Sequence, residues 1–267
     1  MKPNIKFSRA LYQSMKILVC LIGLSGCTHY YYVPNAHNVP LIQEKHEARI
    51  SVGACAGDEY SGGDFQAALS VSDHVGIMVN GFIAKGEKEY EKWHPFNWSP
   101  EAPEIIHNTG SGQFVEFGTG YYLPIPHHDR LVFETYGGLG FGKVLSGYNS
   151  LSSSLKFQRY FLQPSIGFTG KVFDIAFSYR FSLLNYTDIN YKANIPHDEA
   201  LYLNNLVETN LSLLSEPALT IRLGYENVKF QLQLGFSKNA SIPEFRNNFN
   251  FNIGVFMAIT DKYNMTQ

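Results

Sequence analysis

Strict alternation of apolar and polar residues is the feature that most restricts how this chain can fold. Between Lys171 and Leu183, the residues Phe173, Ile175, Phe177, Tyr179, Phe181 and Leu183 face one way, and Asp174, Ala176, Ser178, Arg180 and Ser182 face the other. A period of two marks a strand whose two faces meet different surroundings. Val228 to Ser237 repeats the pattern, and so does the last such segment, where Phe249, Phe251, Ile253, Val255, Met257 and Ile259 alternate with Asn248, Asn250, Asn252 and Gly254. Ten segments read this way: 47–55, 64–72, 74–84, 113–123, 130–143, 155–169, 171–183, 216–225, 227–237 and 248–260. Most have about the 9–11 residues a tilted strand needs to cross a membrane.

The connections sharpen the expectation. Ser72 to His74, Pro124 to Asp129, Thr169-Gly170 and Tyr225 to Asn227 are short, whereas 56–63, 85–112, 144–154, 184–215 and 238–247 are long, and the two kinds alternate. Outer-membrane barrels have short periplasmic turns and longer outside loops. The pattern predicts an all-β fold: a closed, up-and-down antiparallel transmembrane barrel of about ten strands, with eight possible, and both termini on the short-turn side. A soluble sandwich or lipocalin-like barrel also alternates. Against it, so many inward phenylalanines would over-fill a small barrel, whereas Gly118, Gly120, Gly138, Gly140 and Gly142 suit a crowded lumen, and 15% aromatic residues fit interfacial girdles.

The N-terminal segment carries an address. Lys2, Lys6, Arg9 and Lys16 precede the short apolar run Ile17–Leu24, which is too short for a membrane-spanning helix. Leu24-Ser25-Gly26-Cys27 follows and resembles the lipobox of bacterial lipoproteins. The resemblance implies cleavage before Cys27, diacylglycerol on its thiol and an outer-membrane lipid anchor. The expected organisation is a signal peptide over 1–26, a periplasmic linker over 27–46, a barrel over 47–260 and a tail over 261–267. Cys20 leaves with the signal, so a lipidated Cys27 leaves Cys55 without a disulfide partner, most simply as a small buried residue. Processing removes four basic residues from 21 against 23 acidic ones, bringing the net charge to −6, which argues against a nucleic-acid partner.

Beyond the lipobox, the runs Tyr30-Tyr31-Tyr32-Val33-Pro34-Asn35, Val39-Pro40-Leu41 and Tyr136-Gly137-Gly138-Leu139-Gly140-Phe141-Gly142 resemble the small outer-membrane β-barrel lipoproteins of Bacteroidota. That likeness spans nearly the whole chain and implies an outer-membrane barrel, with no catalytic residues to transfer. One departure is the end of the chain: Phe256 is followed by eleven further residues rather than closing it.

Signals for chemistry are few. Arg49, Glu134, Asp174, Arg222 and Lys229 all fall near the short-turn end on polar strand faces, a mixed-sign set suited to ion pairing in a narrow lumen. Asp174 and Arg222 are expected to be cross-strand neighbours. Glu116 and Arg159 stand nearly alone at the opposite end, too few for an active site. His127-His128-Asp129 is the one local histidine cluster, and it lacks the spacing of a metal site, so neither metal nor cofactor is expected. Trp93 and Trp98 in the long segment 85–112 are candidates for a contact surface. Segment 184–215 holds a short helix-like stretch, His197 to Val207, suited to a lid or docking element. The linker 28–46, with three histidines, could meet a periplasmic partner. The expected function is a non-enzymatic binding or assembly role with membrane lipid and a protein partner, against the alternatives of a narrow solute channel or a lipid-anchored ligand-binding barrel.

Overall fold

The computed structural model describes residues 32–57, 60–92, 104–126, 130–148, 151–191, 197–208, 211–241 and 248–260. Ten strands run in chain order: β1 (Ala48–Gly57), β2 (Ser61–Ser70), β3 (Val75–Lys92), β4 (Glu104–Pro124), β5 (Leu131–Tyr148), β6 (Leu151–Thr169), β7 (Phe173–Tyr191), β8 (Ser212–Gly224), β9 (Val228–Asn239) and β10 (Asn248–Ile259). Each pairs antiparallel with its sequence neighbours, and β1 pairs with β10, Ala48 opposite Ile259, so the sheet closes into a barrel. Closure leaves no free edge along the stretch where all ten strands pair, which a sheet in lipid requires.

The apolar face points outward. Phe173, Ile175, Phe177, Phe181 and Leu183 are exposed, while Asp174, Ala176, Ser178, Arg180 and Ser182 are buried. The same holds on β9, with Val228, Phe230, Leu234 and Phe236 outside and Lys229, Gln231 and Gln233 inside. A soluble barrel would invert this arrangement. Ten residue steps from Phe173 to Leu183, at about 3.3 Å each and tilted about 40°, give a belt roughly 25 Å tall, the height such barrels present to hydrocarbon. Polar side chains replace apolar ones in the outward row at Gln113, Lys143 and Lys156, which lie side by side across β4, β5 and β6.

The long connections differ from the sequence expectation. Only residues 58–60 separate β1 from β2 and 149–150 separate β5 from β6, because the strands continue through most of the segments read as loops. β3 runs to Lys92, and β4 has 21 residues. The sequence Lys85-Gly86-Glu87-Lys88-Glu89-Tyr90-Glu91-Lys92 lacks apolar alternation because both faces of a strand beyond the belt can meet water. A helix, α1 (His197–Glu208), lies between β7 and β8. Its Leu203 and Leu206 are buried with Tyr60, Phe82, Leu155, Leu184 and Leu214 in an apolar cap over the long-strand end of the lumen, and Cys55 sits in the same cluster.

The larger correction concerns the expected linker. Residues 34–42 are buried without exception, since the chain from Tyr32 to Gln43 runs lengthwise through the lumen. Tyr32 belongs to the apolar cap, whereas Ile42 packs with Ala68, Tyr122 and Tyr136 near the short turns. The chain therefore enters the lumen at the long-strand end and runs through it to meet β1 at the short-turn end. The tail 261–267 lies outside the described residues.

Candidate functional site

An extended segment inside a barrel has no neighbouring strand to pair with, so its N–H and C=O groups need side-chain partners. The inward residues supply them. Gln233 acts as a one-residue strand: its amide oxygen accepts from the His37 N–H at 2.6 Å and its amide nitrogen donates to the His37 carbonyl at 2.9 Å. A primary amide can do both because it carries donor and acceptor together. Gln66 donates to the Ala36 carbonyl at 3.1 Å, Gln163 to the Asn38 carbonyl at 2.7 Å, and Arg222 to the Val39 carbonyl at 2.6 Å. Asn250 donates to the carbonyl of Pro34. At the short-turn end the Glu134 carboxylate accepts from the N–H groups of both Leu41 (3.1 Å) and Ile42 (2.8 Å). Side chains on the segment join in: Asn38 donates to Asn80 at 2.8 Å, and His37 Nδ1 lies 2.8 Å from Ser178 Oγ.

Two charge clusters flank this region. In the upper one, Arg159 pairs with Glu116 at 2.5 Å and Arg180 with Glu216 at 2.8 Å, all four side chains being almost fully buried. The segment ties the pairs together. The Tyr32 hydroxyl accepts from Arg159 at 2.6 Å and donates to Glu216 at 2.9 Å. Asn35 accepts from Arg159 through its side chain (2.9 Å) and from Arg180 through its carbonyl (3.2 Å). The Arg159 guanidinium also lies 4.2 Å from the centre of the Phe114 ring. Buried charges persist only when paired and hydrogen-bonded, and these are both.

The lower cluster contains the five residues singled out from sequence. Asp174 and Arg222 are register partners on β7 and β8, yet their closest approach is 4.0 Å. The short pair is Lys229 with Asp174, at 2.5 Å, and Asp174 also accepts from Thr169 Oγ1 and the Gly170 N–H, each at 3.0 Å. Arg222 turns instead to Gln231 (2.7 Å) and lies 3.7 Å from the centre of the Phe256 ring. Arg49 pairs with Glu47 at 2.6 Å. Glu134 binds main-chain N–H groups instead of forming a short ion pair.

Sequence reading missed Glu216 as a site residue. The expected strand began at Glu216 itself, whereas β8 begins four residues earlier, at Ser212. Tyr32, Asn35 and His37 were missed because nothing in a short run with neither strand nor helix period signals that it will be threaded. Leu24, Ser25, Gly26, Cys27, Trp93, Trp98 and His127 to Asp129 lie outside the described residues. Among the described residues, no group of three or more His, Cys, Asp or Glu side chains is placed to hold a metal ion. The paired charges face the threaded segment and its neighbours, and their chemistry is retention of main chain.

No protein-family model matches this sequence, and no curated protein matches it. Among solved structures, the chain is similar to the translocator domain of the autotransporter NalP from Neisseria meningitidis, at 9% identity and a TM-score of 0.45, covering 94% of this chain and 96% of that one. It is similar to the N-terminal β-barrel domain of Pseudomonas aeruginosa OprF, at 9% identity and a TM-score of 0.32, covering 81% of this chain and all of that one. The attachment invasion locus protein Ail of Yersinia pestis aligns at 12% identity and a TM-score of 0.33, over 80% of this chain and 99% of Ail.

Proposed function

We propose that this chain is an outer-membrane β-barrel lipoprotein, lipidated on Cys27, that closes its own lumen and acts without catalysis as a binding or assembly component. The observation that carries the reading is the pairing of an apolar outer belt with a lumen occupied along its length by residues 32–43. The belt fits hydrocarbon. The occupied lumen speaks against a solute channel, because ten strands enclose little beyond side chains and here they also enclose a backbone. At the long-strand end, the wall of β3 to β7 beyond the belt and the exposed residues of α1 are open to contact. That wall carries exposed polar contacts, including the Lys156–Asp188 ion pair at 2.9 Å and the His107–Glu89 contact at 2.8 Å.

The test is reconstitution of the full chain in a planar bilayer, alongside gel mobility of boiled and unboiled samples. A heat-dependent mobility shift without ion conductance is expected. Stable stepwise conductance by the wild-type chain would replace this reading with the channel. A folded, fully water-soluble Cys27→Ala variant would overturn membrane insertion.

A further inference from the structure

The direction of the threaded segment fixes where a lipid on Cys27 can reside. Tyr32 lies in the apolar cap with the leucines of α1, while Leu41 and Ile42 are held by Glu134 near the short turns. Five residue steps separate Cys27 from Tyr32, and at most about 3.6 Å per residue lets them reach roughly 18 Å. The return from Tyr32 to the short-turn end is the length of the eleven-step segment 32–43, about 40 Å on the same scale. That return path is also filled by the segment itself. An acyl chain on Cys27 therefore cannot reach the short-turn side while the lumen stays threaded.

We propose that the lipidated N-terminus is displayed at the long-strand end and that its acyl chains enter the outer leaflet of the membrane, facing the cell exterior. This rests on the reading of the chain as an outer-membrane lipoprotein with its short turns in the periplasm. It reverses the expectation that the N-terminus lies on the short-turn side, and it makes the anchor part of the outer surface. The placement also has an energetic consequence. Withdrawing the segment toward the periplasm would require pulling the acyl chains through a lumen packed with Phe114, Phe157 and Leu155, so the lipid works as a stop that holds residues 32–43 in place.

Single cysteines in a Cys55→Ala background, probed on intact cells with a membrane-impermeant maleimide, test the proposal. Thr109→Cys, exposed on β4 beyond the belt, and Tyr225→Cys, exposed in a short turn, report the barrel's orientation; His29→Cys reports the N-terminus. His29→Cys and Thr109→Cys should label on intact cells, with Tyr225→Cys labelling only after the outer membrane is opened. If His29→Cys labels only with Tyr225→Cys, the threading direction is refuted while the barrel reading stands. If Thr109→Cys labels only after opening, the orientation fails and takes the proposal with it. A short acidic epitope inserted between Thr28 and His29 gives a second readout, free of any local protection of the cysteine. Antibody binding on intact cells supports exterior display, and binding only after opening overturns it. Metabolic labelling with a palmitate analogue completes the test, because an exterior N-terminus without Cys27-dependent label would refute the lipid placement alone.

Discussion

Replacing Glu134 by alanine removes both acceptors that hold the lower end of the threaded segment. The Leu41 and Ile42 N–H groups, at 3.1 and 2.8 Å from the carboxylate, are left buried without that acceptor. A buried donor deprived of its partner costs about 1–3 kcal/mol, so two such donors put the expected loss at about 2–6 kcal/mol. Glu134→Gln keeps one acceptor oxygen but turns an amide N–H₂ toward the second donor, which places it between alanine and wild type. Urea unfolding of the refolded full chain in detergent, followed by circular dichroism and by the boiled-versus-unboiled gel shift, should give midpoints in the order wild type, Gln, Ala. Equal midpoints for wild type and Glu134→Ala would refute the clamp. An alanine variant as stable as the glutamine one would show that the N–H groups find other partners.

Asp174→Ala leaves Lys229 buried and uncompensated and should cost about 3–5 kcal/mol, whereas replacing both together by Asn and Gln should cost less; a double variant with the lower melting temperature would show the pairing to be wrong. Gly142→Ala places a methyl 2.2 Å from a ring carbon of Phe157, so it should slow or block folding, and Phe157→Leu in the same chain should restore the gel shift; failure of the rescue would locate the problem elsewhere.

The strands were legible in the sequence because lipid outside and a polar interior impose opposite chemistries on successive residues. Phe173 to Leu183 shows this in undiluted form. The legibility stops where the belt stops. Beyond Ile83, β3 continues as a charged run through the described backbone, and no period survives to distinguish it from a loop. Glycines 138, 140 and 142 could be assigned to the inner wall, but not the reason for them. A Cβ on Gly140 would lie 2.3 Å from the Phe114 ring and one on Gly142 against Phe157, so the run accommodates aromatic rings lying flat on the wall. The lower charge cluster was legible as a group because strand direction alone gathers it. Its internal pairing was not, since Arg222 and Lys229 both reach Asp174 and only side-chain geometry decides between them.

The threaded segment changes what the polar lumen means. Gln66, Gln163, Gln233 and Asn250 all lie on inward strand faces, and each spends its amide on a main-chain group of residues 34–38. Direct hydrogen bonds join the segment to β2, β3 and every strand from β5 to β10. A barrel closed without the segment would bury these amides, the Glu134 carboxylate and the Arg222 guanidinium with fewer partners, at a cost of about 1–3 kcal/mol for each group left unpaired. Partners from so many strands cannot be recruited one after another by a segment entering a finished cylinder, because the lumen is already packed around it. Residues 32–43 therefore belong to the barrel's core in the sense that apolar side chains belong to the core of a soluble domain: they are what the ten strands close upon.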